Sequence, residues 1–141
     1  MRKNIPEEKS VSTTFIGLGA MGYPMAEHLQ TAGYPTTVYN RSCAKASHWH
    51  KTHQGNTAPT PADATRNADI AFVCVGNDDD VREVTLGAQG VLKTLRPGSI
   101  LVDHTTASAD LARELQAACK EKQRDFLDSP GAGGQAGSEP G

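Results

Sequence analysis

The sequence predicts an α/β fold with a doubly wound, mostly parallel sheet of about six strands and helices on both faces. Short β-prone segments alternate with helix-forming segments between residues 12 and 128, and such alternation requires crossover connections that make neighbouring strands parallel. The segment DIAFVCV at 69–75 is apolar from its second residue onward, as expected of a strand buried on both faces. A glycine cluster separates the first strand from the first helix, which is where folds of this class bind their ligand.

Each predicted strand is a short run of β-prone or apolar residues bounded by turn-forming residues. The strands are 13–16, 36–40, 56–58, 69–75, 99–102 and 124–127. The predicted helices are 20–32, 43–53, a short helix that follows Asp78, and 108–122. Gly33 stands where the first helix needs a C-terminal cap. In the last helix, Leu111, Leu115 and Cys119 form an apolar stripe at helical spacing.

The length of 141 residues fits a single domain. We expect residues 1–11 to form a flexible N-terminal tail and residues 12–128 to form the folded, ligand-binding domain. Residues 129–141 read SPGAGGQAGSEPG, which is too rich in glycine and proline for regular secondary structure.

The composition excludes several classes of partner. The net charge is −2 and the isoelectric point is about 6.2, so the chain lacks the basic surface that binds nucleic acid. The longest apolar run, 70–75, is too short to cross a bilayer. The cysteines Cys43, Cys74 and Cys119 fit neither a disulfide framework nor a zinc motif, and Cys74 is interpreted as a small core residue. We therefore expect a cytoplasmic protein with no nucleic-acid or membrane partner.

The glycine cluster reads GLGAMG at 17–22 and has the pattern G-x-G-x-x-G. In this pattern Gly17 permits a tight turn, Gly19 lets the backbone approach a pyrophosphate, and Gly22 allows the helix to pack closely against the strand. The helix N-terminus adds unpaired N–H groups and a partial positive charge. The cluster predicts a dinucleotide-binding Rossmann domain, and the alternative is a tight turn without a ligand.

The end of the second strand indicates which dinucleotide is bound. An acidic residue there would hold the ribose 2′-hydroxyl of NAD, but the residues are Asn40, Arg41 and Ser42. A guanidinium suits the paired hydrogen bonds of a 2′-phosphate, and Ser42 can add a donor. The sequence therefore predicts NADP as the preferred cofactor over NAD, and the alternative is that Arg41 is a solvated surface residue.

Several motifs in order give the chain a specific resemblance. FIGLGAMGYPMAEHL, VYNRS, CVGNDDDVREV, LVDHTT and FLDSPGAGGQAG cover about residues 12–138. Together they resemble the N-terminal domain of the 3-hydroxyisobutyrate dehydrogenase family of β-hydroxyacid dehydrogenases. The resemblance implies an oxidoreductase that acts on a CH–OH group with NADP or NAD, and a small hydroxy acid or semialdehyde as the substrate of the full-length protein.

The resemblance also implies roles for individual residues. The pyrophosphate would be bound by the glycine loop, the adenosine 2′ position by the residues after the second strand, the cofactor ribose by a pair after the fourth strand, and the nicotinamide by a threonine after the fifth. These cofactor-binding residues are Gly17, Leu18, Gly19, Ala20, Met21, Gly22, Asn40, Arg41, Ser42, Val75, Gly76 and Thr106. The substrate carboxylate would be bound at Ala132, Gly133 and Gly134.

The sequence departs from the family pattern at two points. Ala132 stands where the family has a serine, and Gly131 stands where it has a valine. The family's catalytic lysine is expected beyond the glycine segment, in a helical second domain, whereas the last lysine here is Lys122. We therefore expect the chain to bind the cofactor without turnover and to contain no catalytic residue. Without the second domain, apolar surface would be left uncovered, which suggests a homo-oligomer. The alternatives are a noncatalytic dinucleotide-binding or interaction module and another reductase of the superfamily, such as an imine or tartronate semialdehyde reductase.

Three other groups of residues suggest chemistry less strongly. His48, His50 and His53 flank Trp49, but no metal-ligand motif supports them, and a solvated helix face explains them better. The acidic residues 78–80 do not converge on one cation and are predicted to cap the following helix. His104 could act as an acid or base, although the resemblance gives it no such role. We expect no metal site.

Overall fold

The computed structural model describes residues 11–106 and 108–129. Residues 1–10 of the predicted tail (1–11) and the predicted substrate residues Ala132, Gly133 and Gly134 lie outside these ranges. The strands are β1 (Thr13–Ile16), β2 (Thr36–Tyr39), β3 (Asn56–Thr57), β4 (Ile70–Val73), β5 (Ile100–Asp103) and β6 (Asp125–Asp128). The helices are α1 (Gly22–Thr31), α2 (Cys43–His53), α3 (Pro61–Thr65), α4 (Asp78–Leu86) and α5 (Ala109–Glu121), with a 3₁₀ turn at Val91–Lys93.

The six strands form one parallel sheet in the order β3-β2-β1-β4-β5-β6. β1 lies in the interior, where Phe15 pairs with Val38 on one side and with Phe72 on the other. The chain runs outward from β1 to β3, crosses back to β4 and continues to β6, so the strand order reverses between β1 and β4. This arrangement confirms the predicted doubly wound α/β fold.

Alternate residues of β1 enter different cores on the two faces of the sheet. Phe15 packs in a cluster with Ala46 and Trp49 of α2 and with Ala26 of α1. Ile16 points to the opposite face, where the core contains residues of β4, β5, α3, α4, α5 and the 3₁₀ turn. Helices therefore cover both faces, as the sequence predicts.

Helix α3 is absent from the elements that the sequence predicts, which place no helix between the strand at 56–58 and the strand at 69–75. Thr60 caps this helix by accepting a hydrogen bond from the Asp63 N–H at 3.0 Å. Pro61 occupies the first turn, where its missing N–H costs no helical hydrogen bond and its fixed φ suits the helix. Five residues are too few to show an amphipathic period, so only the cap and the proline could have signalled the helix.

Strand β4 is shorter and less buried than predicted. Ala71 and Val73 are buried, but Ile70 and Phe72 are only half-buried. Ala71 and Val73 face the core that contains residues of α3, α4 and α5, whereas Phe72 packs at the margin of the cluster that contains Phe15 and Trp49 on the other face. Leu127 of β6 is 54% exposed. The strand is therefore fully buried on one face and only half-buried on the other, where the sequence predicts full burial.

The acidic residues at the start of α4 do not cap it. The cap is Asn77, whose side-chain oxygen accepts a hydrogen bond from the Asp80 N–H at 2.9 Å. Asp78 instead accepts a hydrogen bond from the Ser108 N–H at 3.0 Å, which ties α4 to the start of α5. The acids occupy the first turn of α4, where a negative charge is favoured by the helix dipole.

Helix α2 has the predicted limits, but its exposed face is narrower than expected. Trp49 is fully buried and fills the space beside Gly55, where a Cβ would lie 2.4 Å from the indole ring. His48 and His50 are exposed. None of the helices in 11–106 and 108–129 is long and apolar enough to span a membrane.

Candidate functional site

A cleft with a volume of about 1030 Å³ lies at the carboxyl ends of β1, β2, β4 and β5. The strand order reverses at this position, which is where doubly wound folds bind ligands. All twelve residues that the sequence nominated for cofactor binding line it: Gly17, Leu18, Gly19, Ala20, Met21, Gly22, Asn40, Arg41, Ser42, Val75, Gly76 and Thr106. Four segments that are remote in sequence thus meet in one cavity of a size typical of small-molecule sites.

Gly17 makes the turn that leaves β1. Its φ is +104°, and a Cβ at this position would lie 2.1 Å from the Cys74 carbonyl oxygen. Its N–H donates a hydrogen bond to the Tyr39 carbonyl at 2.8 Å. The backbone of the loop is therefore held between the ends of β2 and β4, and no side chain fits there.

The other two loop glycines have different surroundings. A Cβ at Gly22 would lie 2.1 Å from the Gly17 carbonyl oxygen, so this glycine permits close packing of α1 on the loop. Nothing lies within 4 Å of a Cβ at Gly19, which faces open space in the cleft. Met21 is the N-cap of α1, yet among the described residues no side chain caps this helix and no acid lies in its first turn. The start of α1 is therefore free to bind an anion.

Asn40 holds the glycine loop in place. Its side-chain oxygen accepts a hydrogen bond from the Leu18 N–H at 2.8 Å, and its side-chain nitrogen donates one to the Ser42 carbonyl at 3.2 Å. Ser42 in turn caps α2 by accepting a hydrogen bond from the Lys45 N–H at 3.5 Å. Both residues line the cleft as predicted, but their side chains are already engaged in shaping the backbone.

Arg41 meets an acidic partner that the sequence reasoning missed. Its guanidinium lies 2.8 Å from a carboxylate oxygen of Asp80, in the first turn of α4. The hydrogen bond and the charge of Asp80 raise the pKa of Arg41, and the charge of Glu83 adds to this effect. The sequence alone does not signal this contact, because Arg41 and Asp80 come together only through the strand order that places β2 and β4 on either side of β1.

Thr106 is presented to the cleft by a hydrogen-bonded turn after β5. The Thr105 N–H donates to the Asp103 carboxylate at 2.9 Å, and the Thr105 hydroxyl accepts from the Val75 N–H at 3.0 Å. Asp103 is buried, and its burial raises the pKa of the carboxyl group although the hydrogen bonds to Thr105 lower it. The turns that follow β4 and β5 are thus joined at this end of the cleft.

His104 and Cys74 also line the cleft. The His104 ring stacks on Phe72 with the centroids 5.9 Å apart, and its Nδ1 lies 2.9 Å from the Ser129 carbonyl oxygen. Burial raises the pKa of the Cys74 thiol. Cys74 therefore remains a protonated thiol at neutral pH, which is consistent with a small packing residue and does not suit a nucleophile.

The histidines of α2 are used in contacts within the protein. His50 Nδ1 lies 2.5 Å from the Gly55 carbonyl oxygen, and His53 Nε2 lies 3.2 Å from the Tyr23 hydroxyl. Across 11–106 and 108–129, no three His, Cys, Asp or Glu side chains are grouped so that they could hold a metal ion.

Comparison with known proteins places these features among nucleotide-binding oxidoreductases. Residues 12–141 match the family model described as the NAD-binding domain of 6-phosphogluconate dehydrogenase. An uncharacterized oxidoreductase of Shewanella frigidimarina is 55% identical over 127 residues, which cover 90% of this chain and 44% of the relative. A probable mitochondrial 3-hydroxyisobutyrate dehydrogenase-like protein of Arabidopsis thaliana is 40% identical over 127 residues, covering 90% of this chain and 42% of the relative.

Solved structures show the same likeness. The 3-hydroxyisobutyrate dehydrogenase of Mycobacterium tuberculosis aligns with a TM-score of 0.77 at 26% identity, over 86% of this chain and 40% of its own. An imine reductase of Myxococcus stipitatus in complex with NADP+ aligns with a TM-score of 0.74 at 34% identity, over 83% of this chain and 39% of its own. A variant of that reductase in complex with NAD+ aligns with a TM-score of 0.76 at 31% identity, over 85% and 40% of the two chains. The chain spans less than half the length of the relatives it matches.

Proposed function

This chain belongs to the family of the NAD-binding domain of 6-phosphogluconate dehydrogenase, with 3-hydroxyisobutyrate dehydrogenase-like relatives, and from this premise we propose that it binds NADP(H) in preference to NAD(H) in the cleft at β1, β2, β4 and β5. The observation that carries the proposal is the glycine loop beside the uncapped start of α1. The loop has no room for a Cβ at Gly17 or Gly22, and it is open at Gly19, which is the shape that a pyrophosphate requires.

The pyrophosphate is proposed to lie against the backbone from Gly19 to Gly22. The first turn of α1 has no side-chain cap among the described residues, so a bound phosphate would accept hydrogen bonds from its N–H groups. Asn40 acts indirectly, because its side-chain oxygen accepts a hydrogen bond from the Leu18 N–H and so fixes the loop that would bind the phosphates. These residues bind and orient the nucleotide by geometry that is present before it arrives.

Arg41 is proposed to bind the 2′-phosphate, and Thr106 is proposed to lie beside the nicotinamide. Arg41 is a strongly exposed cation at the rim of the cleft, and a guanidinium matches a phosphate with two parallel hydrogen bonds. Thr106 lies at the other end, on the turn that Asp103 and Thr105 hold. The two positions would thus fix the adenosine and nicotinamide ends of an extended dinucleotide.

The whole protein is proposed to transfer a hydride between the CH–OH carbon of a small hydroxy acid and the nicotinamide. NADP supplies the hydride acceptor when it is bound. The described residues that line the cleft include no lysine. We propose that the group that moves the hydroxyl proton lies outside the described ranges and that these 141 residues alone bind the nucleotide without catalysing turnover.

An imine reductase is the second candidate for the whole protein. It is supported by the 34% identity to an imine reductase bound to NADP+. In that case the hydride acceptor is a C=N carbon and the nucleotide-binding half is unchanged, so the two candidates differ only in the substrate pocket.

Homo-oligomerisation and a cytoplasmic location are further parts of the proposal. The first is supported by the exposed side chain of Leu127.

The test is a titration of the 141-residue chain with NADPH and NADH, followed by nucleotide fluorescence and calorimetry. We expect NADPH to bind more tightly, and Arg41→Ala to weaken NADPH by about tenfold or more while NADH changes little. Arg66→Ala is the matched control, because Arg66 forms a similar surface ion pair, with Asp63, away from the cleft. If the wild-type chain bound neither nucleotide, the proposal would be overturned in favour of an interaction module.

A further inference from the structure

We propose that Asp80 is a specificity-determining residue that limits the preference of the cleft for nucleotides carrying a 2′-phosphate. The inference rests on the proposed function, because it concerns the same nucleotide site. The sequence has no acid at the end of β2, yet the fold brings a carboxylate to that position from α4, 39 residues further along the chain. Asp80 is therefore the acid that the sequence pattern lacks.

The position of Asp80 is fixed more firmly than that of Arg41. The Asp80 side chain is 25% exposed, whereas that of Arg41 is 73% exposed. One carboxylate oxygen of Asp80 contacts Arg41 at 2.8 Å, and the other lies where a Cβ on Gly76 would be only 2.8 Å away. Because Gly76 has no side chain, it leaves the space that Asp80 occupies. This space lies between the segments proposed to bind the two riboses, 40–42 and 75–76. Arg41, rather than Asp80, is the partner that is free to move.

A second carboxylate strengthens the effect. Glu83 lies one helical turn after Asp80, also lines the cleft, and acts on Arg41 through its charge. The net charge of this group of three side chains is −1. A 2′-phosphate carries between one and two negative charges, so it must compete with Asp80 for Arg41 and remain close to two like charges.

The ribose 2′-hydroxyl of NAD(H) is favoured, not repelled, by the Asp80 carboxylate. It is uncharged and can donate a hydrogen bond to the Asp80 carboxylate, which is the role that an acid at the end of β2 has in NAD-binding domains. The Arg41–Asp80 ion pair can persist while this hydrogen bond forms, because a carboxylate accepts several hydrogen bonds. Asp80 therefore favours NAD(H) and opposes NADP(H), while Arg41 acts in the reverse sense.

The experiment compares Asp80→Asn with Asp79→Asn. Both substitutions remove one negative charge from the first turn of α4, but the Asp79 side chain is 94% exposed and lies 3.5 Å from Arg82 instead of contacting Arg41. Dissociation constants for NADPH and NADH are measured for the 141-residue chain and both variants. We expect Asp80→Asn to raise the ratio of NADPH to NADH affinity by about tenfold at low salt and Asp79→Asn to leave it unchanged. The difference should shrink as the salt concentration rises.

The adenosine end can be tested separately with competing ligands. Adenosine 2′,5′-bisphosphate and 5′-AMP differ only at the 2′ position, and Asp80→Asn should tighten the first and not the second. Wild-type binding with an unchanged ratio in Asp80→Asn, or an equal change in Asp79→Asn, would overturn the inference and leave the proposed function standing. Failure of the wild-type chain to bind either dinucleotide would overturn the proposed function, and the inference with it.

Discussion

The two ends of the cleft are built in different ways. At the glycine loop the important feature is the backbone, because Gly17 and Gly22 leave no space for a Cβ and Asn40 ties the Leu18 N–H. At the rim, where we propose that the 2′ position binds, the important features are the charged side chains of Arg41 and Asp80, both at least a quarter exposed. The loop is therefore rigid and specific for a shape, whereas the rim is adjustable and specific for a charge. A substitution at the loop should weaken NADPH and NADH by a similar factor, whereas a substitution at the rim should change the ratio of the two affinities.

The largest effect is expected from Gly17→Ala. The new Cβ would overlap the Cys74 carbonyl oxygen and would require a left-handed conformation that alanine disfavours. We expect the free energy of unfolding to fall by about 2–4 kcal/mol and nucleotide binding to be lost, as measured by thermal denaturation and calorimetry. Gly19→Ala is the matched control, because its Cβ enters open space. It should keep the melting temperature and still weaken both nucleotides, and an equal loss of stability in the two variants would contradict this account of the loop.

An intermediate effect is expected from Asn40→Ala. This change leaves the Leu18 N–H without its side-chain acceptor, and we expect a loss of about 1–2 kcal/mol of stability. Because Asn40 acts on the loop and not on the 2′ position, NADPH and NADH should weaken by the same factor in a titration. Asn67→Ala is the matched control, because Asn67 is exposed and does not line the cleft, and it should change neither stability nor binding. A change confined to NADPH would place Asn40 with Arg41 instead of with the loop.

The smallest effect is expected at Asp103, where a buried side chain supports the turn before Thr106. Burial raises the pKa of Asp103 in the folded chain. Its contribution to stability is therefore complete below the unfolded pKa and is lost as the pH rises through the raised folded pKa. Asp103→Asn cannot ionise but keeps the acceptor for the Thr105 N–H. The melting temperature of the wild type should therefore fall relative to that of the variant as the pH is raised from about 4 to about 7. A constant difference across this range would show that burial does not raise the pKa of Asp103.

The same contrast explains how much the sequence could predict. The fold and the loop follow from local patterns, such as the alternation of elements and the spacing of Gly17, Gly19 and Gly22. The contact between Arg41 and Asp80 joins the ends of β2 and the start of α4, which lie on opposite sides of β1. Such a pair is visible only after the strand order is known. The sequence of residues 78–80 suggests only local roles, a helix cap or a cation site, and the pairing of Asp80 with Arg41 requires the topology.

The uncapped start of α1 links occupancy of the cleft to the integrity of the helix. The first turn of α1 has no side-chain partner among the described residues, so this end of the helix is expected to fray more readily than the start of α5, which Ser108 caps. A phosphate bound there would complete the helix as a missing cap would. The ligand is then part of the secondary structure it binds to, and the amide hydrogens of that turn exchange with solvent most slowly when the site is filled.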